Sequence, residues 1–192
     1  MMNSELFSVP VFIADFTGYI NKPHAEPVNY KGVTILIEEN GIIPSFVVHN
    51  EKGFPFRVVN NEHNPAVFTR LDGTKVPQCE CILYADRNDN RKGWMIFLEL
   101  KYCKPKNLYS NMLEGIGQLK STCKYIFEEK KEFDDSLFKK YLVISTPGTE
   151  PLDPFDASYF NQDDILTVKE ETGALLKASN TMWINTPAVV TF

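Results

Sequence analysis

Trp94-Met95-Ile96-Phe97-Leu98-Glu99-Leu100-Lys101 is the stretch on which the reading of this 192-residue chain turns. An apolar run leads straight into a glutamate and, two positions on, a lysine. That spacing puts both charged side chains on one face of a strand. The run is too apolar for a solvated edge, so a charge entering it needs a partner, a metal or access to water. Upstream, Glu80 precedes a second apolar run, Cys81-Ile82-Leu83-Tyr84, and the polar stretch from Asp86 to Gly93 joins the two as a hairpin. With the loop centred near position 90, paired positions sum to about 180 and Glu80 faces residues 99–101. Asp86 then faces residues near 94, roughly 17 Å from Glu99 at the usual strand rise. The pairing selects Glu80 over Asp86.

Two carboxylates and a lysine at one end of a hairpin suit a hard divalent cation. Mg²⁺ takes oxygen ligands in octahedral geometry, usually one or two carboxylates with water and phosphate oxygens. Glu80 and Glu99 provide the carboxylates, and the backbone carbonyl of Leu100 adds a third oxygen. Lys101, beside a metal-activated water, would orient that water or offset charge in the transition state. The expectation is phosphodiester hydrolysis with Mg²⁺ or Mn²⁺. A plainer account stands beside it: Glu-x-Lys arises often by chance, and a structural ion pair needs no metal.

Downstream, Pro105 ends the strand and a helix starts between Asn107 and Asn111, where Asn111 with Glu114 resembles a capping box. Met112, Leu113, Ile116, Leu119, Cys123, Ile126 and Phe127 recur at helical spacing and define a buried stripe. Gly115 and Gly117 each weaken this helix by about 1 kcal/mol relative to alanine. Close approach to the strands is a reason to accept them. The charged stretch from Glu128 to Asp135 continues or ends the helix. The next strand, Tyr141 to Ser145, is separated by a helix from the one before it and is expected to run parallel to it. After a loop over 149–163, Ile165–Lys169, a turn at Glu171-Thr172-Gly173, and Ala174–Lys177 read as a final hairpin.

The N-terminal side is β-rich. Residues 1–30 form an irregular or partly stranded lead-in. The runs Val33 to Ile37 and Ile42 to Val48 flank Glu39-Asn40-Gly41, and Asn-Gly between β-branched runs signals a hairpin. Phe56 to Val59 is another strand. Residues 60–78 are a long connection with room for a short strand at Val67-Phe68-Thr69. His24, His49 and His63 fall in loop-like stretches without partner spacing, and Phe54, Phe56, Trp94 and Phe97 read as core.

Composition bounds the function. At 192 residues, 43% apolar and 23% charged, the chain fits one domain with a core that needs no disulfide. Its parts are residues 1–77, 78–147 and 148–192. Cys79, Cys81, Cys103 and Cys123 lack the spacing of a disulfide framework or zinc site and read as buried thiols. No apolar run approaches the roughly 20 residues of a membrane span, and the opening residues do not read as a signal peptide, so no membrane partner and cytoplasmic residence are expected. The net charge of −5 argues against a protein that simply coats nucleic acid. Its distribution matters more: residues 87–140 carry 12 basic and 8 acidic side chains, the only basic part of the chain.

These residues resemble the PD-(D/E)XK nuclease-like superfamily. Its core has an acid on one strand, an acid-x-Lys tripeptide on the next strand of a meander, then a helix and a further strand. Here the matching segments are Cys79-Glu80-Cys81-Ile82-Leu83-Tyr84, Phe97-Leu98-Glu99-Leu100-Lys101, the helix with Gly115-Ile116-Gly117-Gln118-Leu119 and the strand from Tyr141. The resemblance implies an α/β fold with a mixed central sheet and an αβββαβ-type restriction-endonuclease-like core over about residues 78–147, plus a β-rich N-terminal extension. Some branches carry a glutamine in the helix, directed at the active site. Gln118 matches it, and Tyr125 lies on the same helical face seven residues on. The resemblance implies a metal-dependent nuclease, with Glu80, Glu99, Lys101 and Gln118 catalytic and Mg²⁺ or Mn²⁺ held by Glu80, Glu99 and the Leu100 carbonyl. Nucleic acid, DNA first, is the implied partner, with Lys104, Lys106, Lys120, Lys124 and Tyr125 as contacts; a homodimer is left open. The first acid is Glu rather than the more usual Asp, and the acid many members carry on an upstream helix has no clear counterpart: Glu38, Glu39 and Glu62 lie in turn-like surroundings. The alternative is a nuclease-fold protein that binds nucleic acid or protein without cleaving.

Overall fold

The computed structural model describes residues 10–15, 18–23, 32–36, 46–61, 68–87, 91–101, 105–131, 133–146, 160 and 162–192, with backbone alone up to residue 36. The strands are β1 (Pro10–Asp15), β2 (Gly18–Pro23), β3 (Gly32–Leu36), β4 (Phe46–Asn50), β5 (Phe56–Asn60), β6 (Cys81–Ala85), β7 (Gly93–Leu100), β8 (Phe138–Ser145), β9 (Leu175–Ala178), β10 (Thr181–Thr186) and β11 (Val189–Thr191). Helix α1 spans Leu108–Lys124 and α2 spans Gln162–Thr172. The strands form a five-stranded sheet, β5-β6-β7-β8-β9, and a six-stranded sheet, β11-β10-β4-β3-β1-β2. Both sheets mix parallel and antiparallel pairs, so the fold is mixed α/β.

The five-stranded sheet sits between two layers, and this explains its sequence. Every residue of β6 and β7 is buried. One face, carrying Ile82, Met95, Phe97, Leu142 and Ile144, packs on α1 through Met112, Ile116 and Leu119 and on α2 through Val168. The other, carrying Leu83, Trp94, Ile96, Leu98 and Val143, packs on Phe46 and Val48 of β4 and Met182 and Ile184 of β10. A strand covered on both faces reads as a continuous apolar run rather than an alternating one.

The hairpin register falls where the turn chemistry puts it. Cys81 pairs with Leu98 and Tyr84 with Met95, numbers that sum to 179. From β7 the chain crosses over through α1 to β8, which lies parallel to β7 along its whole length, from Gly93–Phe138 to Leu100–Ser145. The β3–β4 pair is antiparallel, as the Asn-Gly signal requires, and its turn lies outside the described residues. In the 60–78 connection, Thr69 bridges Lys75 around a tight turn.

Several expectations need correction. The segment read as a final hairpin over 165–177 is α2 followed by β9, and β9 pairs parallel with β8. Asp163 and Asp164 in the first turn suit the positive end of the helix dipole. Gly173 at φ +67° ends α2, and its N–H donates to Lys169 O at 2.9 Å. The true C-terminal hairpin is β10–β11, and β10 joins the other sheet by running parallel to β4. Asn107, not Asn111, occupies the N-cap position of α1, and Asn111 Nδ2 donates to Asn107 O at 2.9 Å. Leu113 is exposed, whereas the rest of its expected stripe is buried. The helix ends in a π turn over Tyr125–Glu129, with Lys130 N–H donating to Tyr125 O at 2.8 Å. The wider turn lets Tyr125, Ile126 and Phe127 all enter the core, and Lys131 at φ 51° stops it. His49 is no loop residue: it lies on β4 and stacks on Trp183, with ring centroids 4.9 Å apart.

Candidate functional site

Glu99 and Lys101 lie at the carboxyl end of β7, on the face that meets α1. The alternation that turns Met95 and Phe97 to the helices carries Glu99 and Lys101 the same way. Extending the β6–β7 register by one pair sets Glu80, the residue just before β6, opposite Glu99. The two acids are neighbours there, although strict alternation ends at this point: Cys79 packs in the helix-side core and Cys81 in the opposite one. Asp86, at the far end of β6, is bound by Arg57 at 3.0 Å.

Glu99 is 3% exposed and both its oxygens are engaged. Oε1 lies 2.8 Å from Lys101 Nζ, and Oε2 accepts the Glu80 backbone N–H at 3.1 Å. Lys101 Nζ also donates to Gln118 Oε1 at 2.8 Å, and Gln118 Nε2 donates to the backbone oxygen of Gln78 at 3.4 Å. The Gln118 amide thus bridges the lysine and the segment that carries Glu80. One Glu80 carboxylate oxygen is buried. The Lys101 backbone N–H donates to Ser145 O at 2.8 Å, toward β8. In a trans peptide the Leu100 carbonyl points the opposite way, toward the β6 side of the strand.

Helix α1 approaches this site at Gly115. A Cβ there would lie 3.2 Å from Lys101 Cε, 3.3 Å from Glu99 Cγ and 3.5 Å from Ile144 Cδ1. Gly117 has nothing within 4 Å, so only one of the two helix glycines answers to close approach. Cys79, beside Glu80, is fully buried, and its thiol is pushed well above its ordinary pKa by burial first and by the Glu99 charge second. It is an inert neighbour rather than a nucleophile.

The residues expected to meet nucleic acid fare differently. Lys104 lies outside the described residues. Lys106 is exposed. Lys120 and Lys124 share the Glu171 carboxylate of α2, at 2.9 and 2.7 Å. Two residues along a helix is about 200° of rotation, so Lys120 lies across α1 from Gln118. Tyr125 is on the Gln118 face, as expected, but is 2% exposed, packs on Phe68 and has Arg70 above its ring. It is a core residue and not a substrate contact. Asn61 and Thr122, both buried, hold the chain around Glu80 and carry no sequence signal of that role. Glu38, Glu39 and Glu62 lie outside the described residues. Among the described residues, no group of three or more His, Cys, Asp or Glu side chains is placed to hold a metal, and no helix is long and apolar enough to cross a membrane.

Comparison with known proteins finds no matching family model, no matching curated protein and no matching solved structure.

Proposed function

We propose that this chain is a divalent-cation-dependent hydrolase of nucleic-acid phosphodiester bonds, DNA first, of the PD-(D/E)XK type. The observation that carries the reading is the buried Glu99 carboxylate, which accepts the Glu80 backbone N–H and is bonded to Lys101, which Gln118 holds from the helix. A meander, a crossover helix and a parallel strand surround it in the order that resemblance implies.

The donor set fits a hard cation. It consists of oxygens only: the Glu80 and Glu99 carboxylates and a Leu100 carbonyl on the β6 side of the strand. When bound, Mg²⁺ or Mn²⁺ would polarise the scissile phosphate and lower the pKa of a water. The chain's own part is positional and electrostatic. Lys101 brings a fixed positive charge to where negative charge builds on the phosphate oxygens. Gln118 keeps that charge from swinging to solvent. Hydrolysis joins the water oxygen to phosphorus and breaks the bond to the leaving sugar oxygen, which takes a proton.

A nuclease-fold protein that binds without cleaving is the second reading. The observation favouring it is that both Glu99 oxygens are already bonded, one to Lys101 at 2.8 Å and one to the Glu80 N–H at 3.1 Å, an arrangement that stands without a cation. Incubation of a mixed single- and double-stranded DNA panel with Mg²⁺ or Mn²⁺ separates the two. Cleavage that stops with chelator and falls at least about 100-fold in Glu80→Gln supports the hydrolase. Lys101→Arg, which keeps a cation beside the buried carboxylate, should also lose activity while holding its melting temperature. DNA binding without cut products would establish the second reading. Undiminished cleavage in Glu80→Gln would reject the site.

A further inference from the structure

We propose that Thr122 is a positioning residue for the Glu80 carboxylate; the inference rests on the hydrolase reading above. The segment Gln78-Cys79-Glu80 lies just before β6, beyond the last pair of the β6–β7 ladder. Most of its bonds run instead to side chains from three surrounding elements. Gln118 Nε2 donates to Gln78 O at 3.4 Å, and the Cys79 N–H donates to Thr122 Oγ1 at 2.8 Å. Asn61 Nδ2 donates to Cys79 O at 2.9 Å, and the Glu80 N–H donates to Glu99 Oε2 at 3.1 Å. The Asn61 backbone N–H completes the set by donating to Glu80 O at 2.8 Å.

Thr122 is fully buried, and its hydroxyl is used in both directions. It accepts from Cys79 while donating to the Gln118 backbone oxygen at 2.8 Å. One turn of α1 therefore carries both the amide that holds Lys101 and the hydroxyl that holds the chain next to Glu80. The separation of Glu80 from the Glu99–Lys101 pair is thus set from the helix as well as by strand pairing. A side chain that touches neither cation nor substrate can in this way control the geometry of the group that does.

The molecule supplies its own control. Thr172, in α2, has the same bonding: its hydroxyl donates to Val168 O at 2.7 Å and accepts the Ala174 N–H at 3.2 Å. It too is buried, and it ends the helix away from the β7 site. Replacing either threonine by valine removes one bonded hydroxyl at nearly constant shape.

The full chain and three variants, Thr122→Val, Thr122→Ser and Thr172→Val, are titrated with Mn²⁺ by calorimetry and assayed for cleavage, with melting temperature and backbone amide exchange recorded for each. Thr122→Val should weaken Mn²⁺ binding and lower kcat by about 10- to 100-fold, the effect of losing a group that orients a metal ligand. Thr122→Ser should restore both. Thr172→Val should lose as much melting temperature as Thr122→Val yet keep its Mn²⁺ affinity. Equal Mn²⁺ affinity in Thr122→Val and wild type, or an equal loss in Thr172→Val, overturns the role. If wild type takes up no Mn²⁺ and cuts nothing, the hydrolase reading falls, and the Glu80 amide decides the positioning alone. Faster exchange there in Thr122→Val but not in Thr172→Val upholds it, and unchanged exchange rejects it. Should Thr122→Val not fold, Thr122→Cys takes its place with the same outcomes.

Discussion

Adding one methyl group at Gly115 tests whether α1 is seated against an immobile site. A Cβ at Gly115 would lie 3.2 Å from Lys101 Cε and 3.3 Å from Glu99 Cγ, inside the roughly 3.5–4.0 Å of a comfortable carbon–carbon contact. A lysine methylene can ordinarily swing aside, but here its Nζ is bonded to Glu99 and Gln118. The glutamate is held at both oxygens, so relief means breaking a buried charge-assisted bond or moving the helix. Gly117 is the matched comparison, in the same helix, exposed, with nothing within 4 Å. Neither glycine is among those with positive φ, so alanine brings the same gain of about 1 kcal/mol in helix propensity at either position. Overpacking opposes it only at Gly115, by about 1–3 kcal/mol. Thermal unfolding followed by circular dichroism should show Gly117→Ala melting above wild type and Gly115→Ala below Gly117→Ala. At about 2–4 °C per kcal/mol for a chain of this size, the gap between the two variants is about 2–12 °C. Equal rises in both would refute the idea that the ion pair is held rigidly against the helix.

Two further outcomes follow from the same geometry. The Cys123 thiol, pushed up to about 12 by burial, and the Cys79 thiol, raised by burial and the Glu99 charge, should resist a thiol reagent near pH 8 in the folded protein. Both should label fully in guanidinium, and mass-spectrometric mapping that finds either modified in the native state would contradict their packing. Glu171 is held below its ordinary carboxylate pKa of 4.5 by hydrogen bonds from Lys124 and Lys120. A depressed folded value means its contribution to stability is present above pH 4.5 and is lost as pH falls through that lower value. Glu171→Gln should therefore flatten the acid limb of the melting-temperature profile while changing little in slope near neutrality; an unaltered acid limb would show that the pair does not couple to folding.

How far the sequence discloses this molecule depends on whether a feature is local. The β6–β7 register follows from one polar loop, and with it comes the choice of Glu80 over Asp86. The parallel β8 follows from a helix between two apolar runs. Segment 162–172 misleads because Ile165, Thr167 and Val168 favour strands and Thr172-Gly173 looks like a turn. The acidic Asp163-Asp164 start and the Ile165, Val168, Thr172 spacing are the helical signals that outweigh them. Tyr125 misleads differently: periodicity gives its direction on the helix but not its depth, which depends on Phe68 arriving from the 60–78 connection. Asn61 and Thr122 are illegible for a related reason. Their work is to bond a short irregular segment, and no periodic pattern encodes which side chain meets which carbonyl.

The parallel pairing of β10 with β4 has a temporal consequence during synthesis. The Thr181 hydroxyl donates to Val47 O across 134 positions of chain, a closure whose entropy costs about 4 kcal/mol at that length. All strands of the five-stranded sheet precede β10, whereas the six-stranded sheet waits for it. A nascent chain extended through β9 thus holds every residue of the Glu99 site while one side of its sheet still lacks Met182, Ile184 and Val190. The site's strands would be spelled out before their cover is made, and an exposed apolar face on the ribosome is what a chaperone binds.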